Sequence, residues 1–353
     1  MIRILVAEDS PVQRELLIFL LEEDGAFSVV GTAKDGVEAV EMTAQLNPDI
    51  VLMDYHMPRM NGAEATRAIM SATPVPIVVT SATIVSEDVA MTFDTLRNGA
   101  LSMVVKPVDL DDPGHDRQAQ HLLQTLKLMA EVKVVRRWPS ERPSAVQEPR
   151  SVARKRTGIA CVAIGGSTGA PGVISQILSG LPTGLTAPVI IVQHMAAGFA
   201  PGFAAWLDQK APLPVRLAEG GMLAQPGMAY IAPDAAQLSI EPNGRFRQYA
   251  GMAGDMFCPS SDHLFHSVAT VYGASAMGVL LTGMGRDGVS GLRAIRTAGG
   301  VTAVQEEQSC VVFGMPGAAM QDDATDHILP PAEIAAMIAA LAGGGKGVQH
   351  GQV

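Results

Sequence analysis

The sequence predicts an α/β protein built from two successive parallel-sheet domains. Three observations carry that expectation. Short apolar runs alternate with amphipathic stretches over residues 1–125, and again from residue 158 onward. The turns between them are rich in Gly, Pro, Asn and Asp. A Pro-, Ser- and Arg-rich stretch separates the two alternating regions.

In the first region, apolar runs at 2–7, 28–33, 49–53, 76–80 and 101–105 have the length of buried strands. The stretches 12–23, 36–46, 62–71 and 85–98 between them read as helices. Five such repeats imply a doubly wound (βα)5 sheet covered on both faces. A helical pattern, HDRQAQHLLQTLKLMAEVKVV, then gives way to RRWPSERPSAVQEPRSVARKR. Beyond it, runs at 158–164, 187–193, 228–232, 277–281 and 300–303 read as the strands of a second parallel α/β domain. The expected organisation is a first domain over 1–125, a helical then basic linker over 126–157, a second domain over 158–345 and a disordered tail over 346–353.

The chain has 353 residues, with 35 Asp and Glu against 25 Lys and Arg, a net charge of −10. Residues 1–125 hold 8 basic and 19 acidic side chains, 126–157 hold 9 and 3, and 158–353 hold 8 and 13. Two acidic blocks therefore flank a basic one. The acidic balance argues against nucleic-acid binding, which needs a basic face to displace counterions. No aromatic-interleaved or helix-turn-helix surface accompanies Arg136, Arg137, Arg154, Lys155 and Arg156, which read as a solvated linker. Three cysteines, Cys161, Cys258 and Cys310, with no CxxC spacing, argue against a disulfide framework or a zinc site. The N-terminus MIRILVAEDS lacks a signal-peptide layout and no apolar run approaches the ~18 residues of a membrane span, so a cytoplasmic protein without membrane insertion is expected.

Ligands of such sheets bind outside the carboxyl ends of the strands. There the first domain places Glu8 and Asp9, then Asp54, then Thr80 and Ser81, then Lys106-Pro107. Crowded carboxylates favour a hard divalent cation such as Mg²⁺. A carboxylate so placed can attack a phosphoryl group while the metal and a lysine neutralise the transferred oxygens. A hydroxyl at Thr80 can hydrogen-bond the new phosphoryl group.

In the second domain the first run enters Gly165-Gly166-Ser167-Thr168-Gly169, a G-x-S-x-G pattern. That pattern suits an exposed nucleophile at a strand-to-helix turn and an anion-binding loop equally well. The next run, PVIIVQ, ends at His194, and a later one, MGVLL, ends in TGMGRDG with Asp287. A serine, a histidine and an aspartate that each follow a parallel strand can meet at one sheet edge. There His194 takes the Ser167 proton and Asp287 holds the imidazole tautomer. The order Ser, His, Asp differs from that of α/β-hydrolases. His263 and His266, three apart, lack a third ligand at matching spacing and read as structural.

These residues carry two resemblances. Glu8-Asp9-Ser10, Asp54 within MDYHMPRMNG, Thr80 and Lys106-Pro107 make residues 2–126 resemble the receiver domain of bacterial response regulators. The resemblance implies Asp54 as phospho-acceptor, with Mg²⁺ held by Asp9, Asp54, the His56 carbonyl and, through water, Glu8. Thr80 and Lys106 would contact the phosphoryl group, and Met103 stands where many receivers carry an aromatic residue. GGSTGAPG, IVQHM, LTGMGRDG and SCVVFGMP are similar to motifs of the chemotaxis response-regulator protein-glutamate methylesterases (CheB type), and the match spans about residues 2–340 in order. This second resemblance implies Ser167 as nucleophile, His194 as general base and acid, Asp287 as orienter, and an oxyanion hole of the Met284 and Thr168 N–H groups. It also implies a phosphorylation-activated hydrolase with no cofactor in its catalytic domain. The substrates would be γ-glutamyl methyl esters on the cytoplasmic helices of chemoreceptors, with deamidation of receptor glutamines in some members. The histidine kinase of the chemotaxis array would be the other partner. The alternative is a phosphorylation-dependent receptor-binding adaptor with a non-catalytic output domain. Two segments depart from the family pattern. Asp255-Met256-Phe257-Cys258-Pro259 stands where basic or polar residues are more common, and YIAPDAAQL lacks the usual basic or histidine character near its end. Both are expected to border the substrate.

Overall fold

A computed structural model describes residues 1–81, 93, 95–96, 98–107, 115–132, 134, 158–195, 197–251 and 256–343. The chain divides into two compact units, Met1–Lys155 and Arg156–Val353. Most of the helix expected over 85–98 lies outside the described residues. So do the basic stretch with its five named cations and the 346–353 tail.

In the first unit, β1 (Ile2–Ala7), β2 (Phe27–Ala33), β3 (Ile50–Asp54), β4 (Ile77–Ser81) and β5 (Ser102–Val105) form one parallel sheet in the order β2-β1-β3-β4-β5. The doubly wound expectation holds. Local chemistry starts the first three helices. Ser10 caps α1 (Pro11–Asp24), with Pro11 at its start and Gly25 closing it at φ 72°. Asp35 caps α2 (Gly36–Leu46) through two backbone N–H groups, and Asn61 with Glu64 forms a capping box on α3 (Gly62–Ala72). α4 spans His115–Ala130. Leu5, Val51, Met53, Ile77 and Val79 are wholly buried, as a sheet covered on both faces requires.

The second unit holds a seven-stranded parallel sheet in the order β14-β13-β12-β6-β7-β9-β8. Its strands are β6 (Cys161–Gly166), β7 (Val189–Gln193), β8 (Val215–Leu217), β9 (Ala229–Ile231), β12 (Ala276–Leu280), β13 (Val301–Gln305) and β14 (His327–Leu329). An antiparallel hairpin of β10 (Gln237–Ile240) and β11 (Phe246–Tyr249) stands apart from it. The helices are α5 (Ala170–Ser179), α6 (Ala200–Asp208), α7 (Ser261–Tyr272), α8 (Val289–Thr297), α9 (Met315–Gln321) and α10 (Pro331–Ala342). β6 is the switch strand. From it the chain moves to β7 on one side and later returns to β12 on the other, opening a crevice at its carboxyl end. The sequence reading missed β8, the hairpin and β14. Each of these strands has only three or four residues, too few to register a period. Among the described residues, no helix is long and apolar enough to cross a membrane.

Candidate active site and phospho-acceptor pocket

In the first unit, Glu8 follows β1, Asp54 ends β3 in register with Thr80 of β4, and the Lys106 N–H donates to the Ser81 carbonyl beyond β5 at 3.0 Å. The lysine Nζ lies 2.8 Å from Glu8 Oε2 and 2.9 Å from Asp54 Oδ1. Glu8 and Asp54 are buried, Asp9 is exposed, and one oxygen of each lies within 4.8 Å of the others. Burial, and then the Asp54 charge, pushes the Glu8 carboxyl above its ordinary range. Burial likewise raises Asp54 against the downward pull of Lys106. Burial would lower Lys106, but the two carboxylates outweigh it and raise it. Three carboxylates against one ammonium leave negative charge over, and their hard oxygens suit a divalent cation. His56 is exposed two residues past Asp54. The Thr80 hydroxyl is buried and donates to the Met53 carbonyl at 3.4 Å.

In the second unit, Gly166 of β6 pairs with Gln193 of β7, and the His194 N–H donates to the Gly166 carbonyl at 3.0 Å. Ser167 and His194 therefore leave neighbouring strands at the same level. On the other side of β6, the Leu281 N–H donates to the Gly165 carbonyl at 2.8 Å, and Asp287 lies in the turn between β12 and α8. Glycines permit the close packing of these turns. Gly169 adopts φ 79°, and a Cβ there would sit 2.4 Å from a Val311 methyl carbon. At Gly283 a Cβ would meet Ser167 Cβ at 2.7 Å and Met315 Sδ at 2.3 Å. The Ser167 N–H donates to the Thr282 carbonyl at 3.1 Å. Among the described residues, the Thr168 and Met284 N–H groups take no part in the backbone bonds that hold these turns.

His194 Nε2 lies 2.8 Å from Asp287 Oδ2. That carboxylate also accepts from Ser260 Oγ at 2.6 Å and from the Ser261 and Asp262 N–H groups at 2.6 and 3.2 Å. It thus sits at the N-terminus of α7, which Ser260 caps. Burial alone would raise its pKa. The hydrogen bond and charge of His194 outweigh that, with Ser260 and Ser261 adding to them, and bring it down to about 2. A proton on Nε2 satisfies the ionised carboxylate and leaves Nδ1 as the acceptor. Among the described residues, Nδ1 is buried and has no hydrogen-bond partner. The structure thus brings His194 and Asp287 into direct contact and sets Ser167 on the adjoining strand end.

The sequence profile of the family described as CheB methylesterase matches residues 162–338, and that of the response regulator receiver domain matches residues 4–113. Protein-glutamate methylesterase/protein-glutamine glutaminase 4 of Myxococcus xanthus is 43% identical over 349 residues, 98% of this chain and 99% of that protein. The chain belongs to the CheB methylesterase family. The protein of the same name from Geobacter metallireducens is 44% identical over 97% of this chain and 99% of its own length. The crystal structure of the Thermotoga maritima CheB methylesterase catalytic domain superposes with a TM-score of 0.51 at 34% identity, covering 52% of this chain and all of that one.

Several residues of this CheB-family site escaped sequence reasoning. Gln193 Nε2 donates to the carbonyls of both Ser167 and His194, at 2.8 and 2.9 Å. Thr282 Oγ1 lies 3.0 and 3.1 Å from the Thr168 and Val312 carbonyls and accepts from the Val311 and Val312 N–H groups. Ser260 had a legible signal, since a Pro-Ser pair before an apolar-periodic stretch is an N-cap signature. His263 and His266 are hydrogen-bonded to Tyr249 and Ser290 at 2.9 and 3.0 Å.

Proposed function

We propose that the chain is a protein-glutamate methylesterase. On this reading, Ser167, His194 and Asp287 remove methyl esters from γ-glutamyl residues of chemoreceptors, and phosphorylation of Asp54 switches the activity on. The observation that carries the proposal is the His194–Asp287 bond of 2.8 Å, with Nδ1 buried and without a hydrogen-bond partner among the described residues. Nδ1 accepts the Ser167 proton as the serine oxygen attacks the ester carbonyl. The tetrahedral oxyanion meets the Met284 and Thr168 N–H groups. Asp287, with its carboxyl at about 2, stays ionised and stabilises the imidazolium. The imidazolium returns the proton to the methoxide, releasing methanol. Water activated by the same nitrogen then cleaves the acyl-enzyme to glutamate, and a glutamine side chain would lose ammonia by the same route.

In the receiver, the resident cation would be Mg²⁺, held by Asp9, Asp54, the His56 carbonyl and, through water, Glu8. When bound, it supplies positive charge to the phosphoryl oxygens. Lys106 already stands at Asp54, and the Thr80 hydroxyl reaches a phosphoryl group by turning from the Met53 carbonyl. The domain boundaries follow the sequence reading: receiver 1–125, linker 126–157, hydrolytic domain 158–345 and tail 346–353. The partners are methylated receptor helices and the array's histidine kinase, and the compartment is the cytoplasm. Methanol release from methylated receptor by the full chain, with and without a small phosphodonor, tests the reading. Ser167→Ala should abolish release and retain receptor binding, and release at the normal rate would overturn the triad. Equal rates with and without the phosphodonor would overturn the regulation.

A further inference from the structure

The two segments that depart from the family pattern meet in the structure. Gln237, wholly buried at the start of β10, donates Nε2 to the Phe257 carbonyl at 2.8 Å. Its Oε1 accepts from the Ser260 N–H, also at 2.8 Å. One side-chain amide therefore grips both ends of the short strap 257–260. Each end of that strap reaches the catalytic pair. Ser260 Oγ bonds Asp287 Oδ1 at 2.6 Å. The Phe257 ring lies parallel to the His194 imidazole, with centroids 4.4 Å apart and planes 2° from parallel.

We propose that Phe257 is a positioning residue for His194, held in place by Gln237, which sets the plane of the imidazole so that Nδ1 faces the nucleophile. The proposal rests on Ser167, His194 and Asp287 acting as a hydrolytic triad. The Cβ–Cγ bond and the hydrogen bond from Nε2 to Asp287 fix two points of the ring and leave it free to turn about the line through them. Nδ1, lacking a partner among the described residues, supplies no third anchor. The stacked face of Phe257 supplies it, because tilting the imidazole drives one ring edge into the phenyl face. The phenyl face is also the negative face of its quadrupole, and so favours the cation that forms when the serine proton arrives. Both effects bear on proton transfer and not on receptor recognition. Misplacing a catalytic group by a fraction of an ångström is costly in turnover.

The test uses the full chain with methylated receptor, measuring kcat and KM, and separately the rate at which a fluorophosphonate labels Ser167, a reaction that needs the base but no receptor contact. Phe257→Leu and Phe257→Ala should each lower kcat and the labelling rate on the order of 10-fold with KM held within about twofold, while Phe257→Tyr retains both. Gln237→Leu, which cannot hold the strap, should give the same split. A raised KM at unchanged kcat and labelling would make Phe257 a wall of the substrate site and overturn the proposal. So would a Phe257→Leu variant that works as well as the parent. Ser167→Ala separates the two levels of the argument. If it still releases methanol, the triad reading fails. If it is inert while every Phe257 variant is normal, only the positioning role fails.

Discussion

Replacing Ser260 with alanine removes a hydroxyl that donates to Asp287 at 2.6 Å and accepts from the His263 N–H at the N-cap of α7 at 3.4 Å. The carboxyl of Asp287 lies at about 2 in the folded protein against an ordinary 3.8. That depression corresponds to on the order of 2 kcal/mol of folding stability at neutral pH, shared among His194, Ser260 and the backbone donors. The share of Ser260 is on the order of 1 kcal/mol, and the lost cap adds about 1 kcal/mol. With a urea slope of about 2 kcal/mol per molar, the midpoint of the hydrolytic unit should fall by about 1 M. Trp206, buried in α6, reports that transition by fluorescence once the other tryptophan, Trp138, is changed to Phe in the background. The charge-linked share has a pH signature. A carboxyl depressed by folding stabilises above its unfolded value of 3.8, and the benefit fades as the pH falls toward 2. At pH 3 about half of it should be gone, and the gap between parent and variant should narrow accordingly. An unchanged midpoint at pH 7, or a gap as wide at pH 3 as at pH 7, would refute the assignment of Ser260 to the Asp287 charge.

Gly283→Ala should lower kcat at least about 10-fold, because its methyl group would press on Ser167 Cβ, and a near-normal kcat would contradict that packing. Thr282→Val strips an acceptor from the Val311 and Val312 N–H groups and should cost about 2–4 kcal/mol in urea unfolding, with a loss under about 0.5 kcal/mol counting against it. Lys106→Met leaves Glu8 and Asp54 buried without their counter-charge and should destabilise the receiver by about 3–5 kcal/mol by calorimetry. Millimolar Mg²⁺ should recover part of that loss, and identical melting with and without the ion would refute the cation site.

The sequence was most legible where chemistry follows an apolar run. Ser167, His194 and Asp287 each trail a strand, and so do Glu8, Asp54 and Lys106, so alternation alone put them at sheet edges. What it could not reveal is the set of buried polar groups that hold those turns in place. Gln237 and Gln305 are wholly buried and Gln193 nearly so, yet each stands at the end of a strand, where a polar residue ordinarily signals solvent. Each has at least one partner on a loop backbone distant in sequence. Gln305 Oε1, for example, accepts from the Thr282 N–H, and no local pattern encodes such a pairing. In the sequence Phe257 stands out as a departure and reads as a substrate border, because stacking on His194 depends on a fold that brings the end of β7 and the strap before α7 together.

The carboxylate of Asp287 holds the His194 imidazole and the first turn of α7 at once. The imidazole can be fixed only after three stretches far apart in the chain have met, so competence should arrive as a late event in the maturation of the hydrolytic unit. A nascent or partly assembled chain would then carry an idle serine, and esterase turnover would act as a built-in gauge of whether this half of the molecule is finished. It follows that an inactive form meant to trap a bound receptor is better made at Ser167 than at Asp287, where loss of the charge would unsettle the helix along with the chemistry.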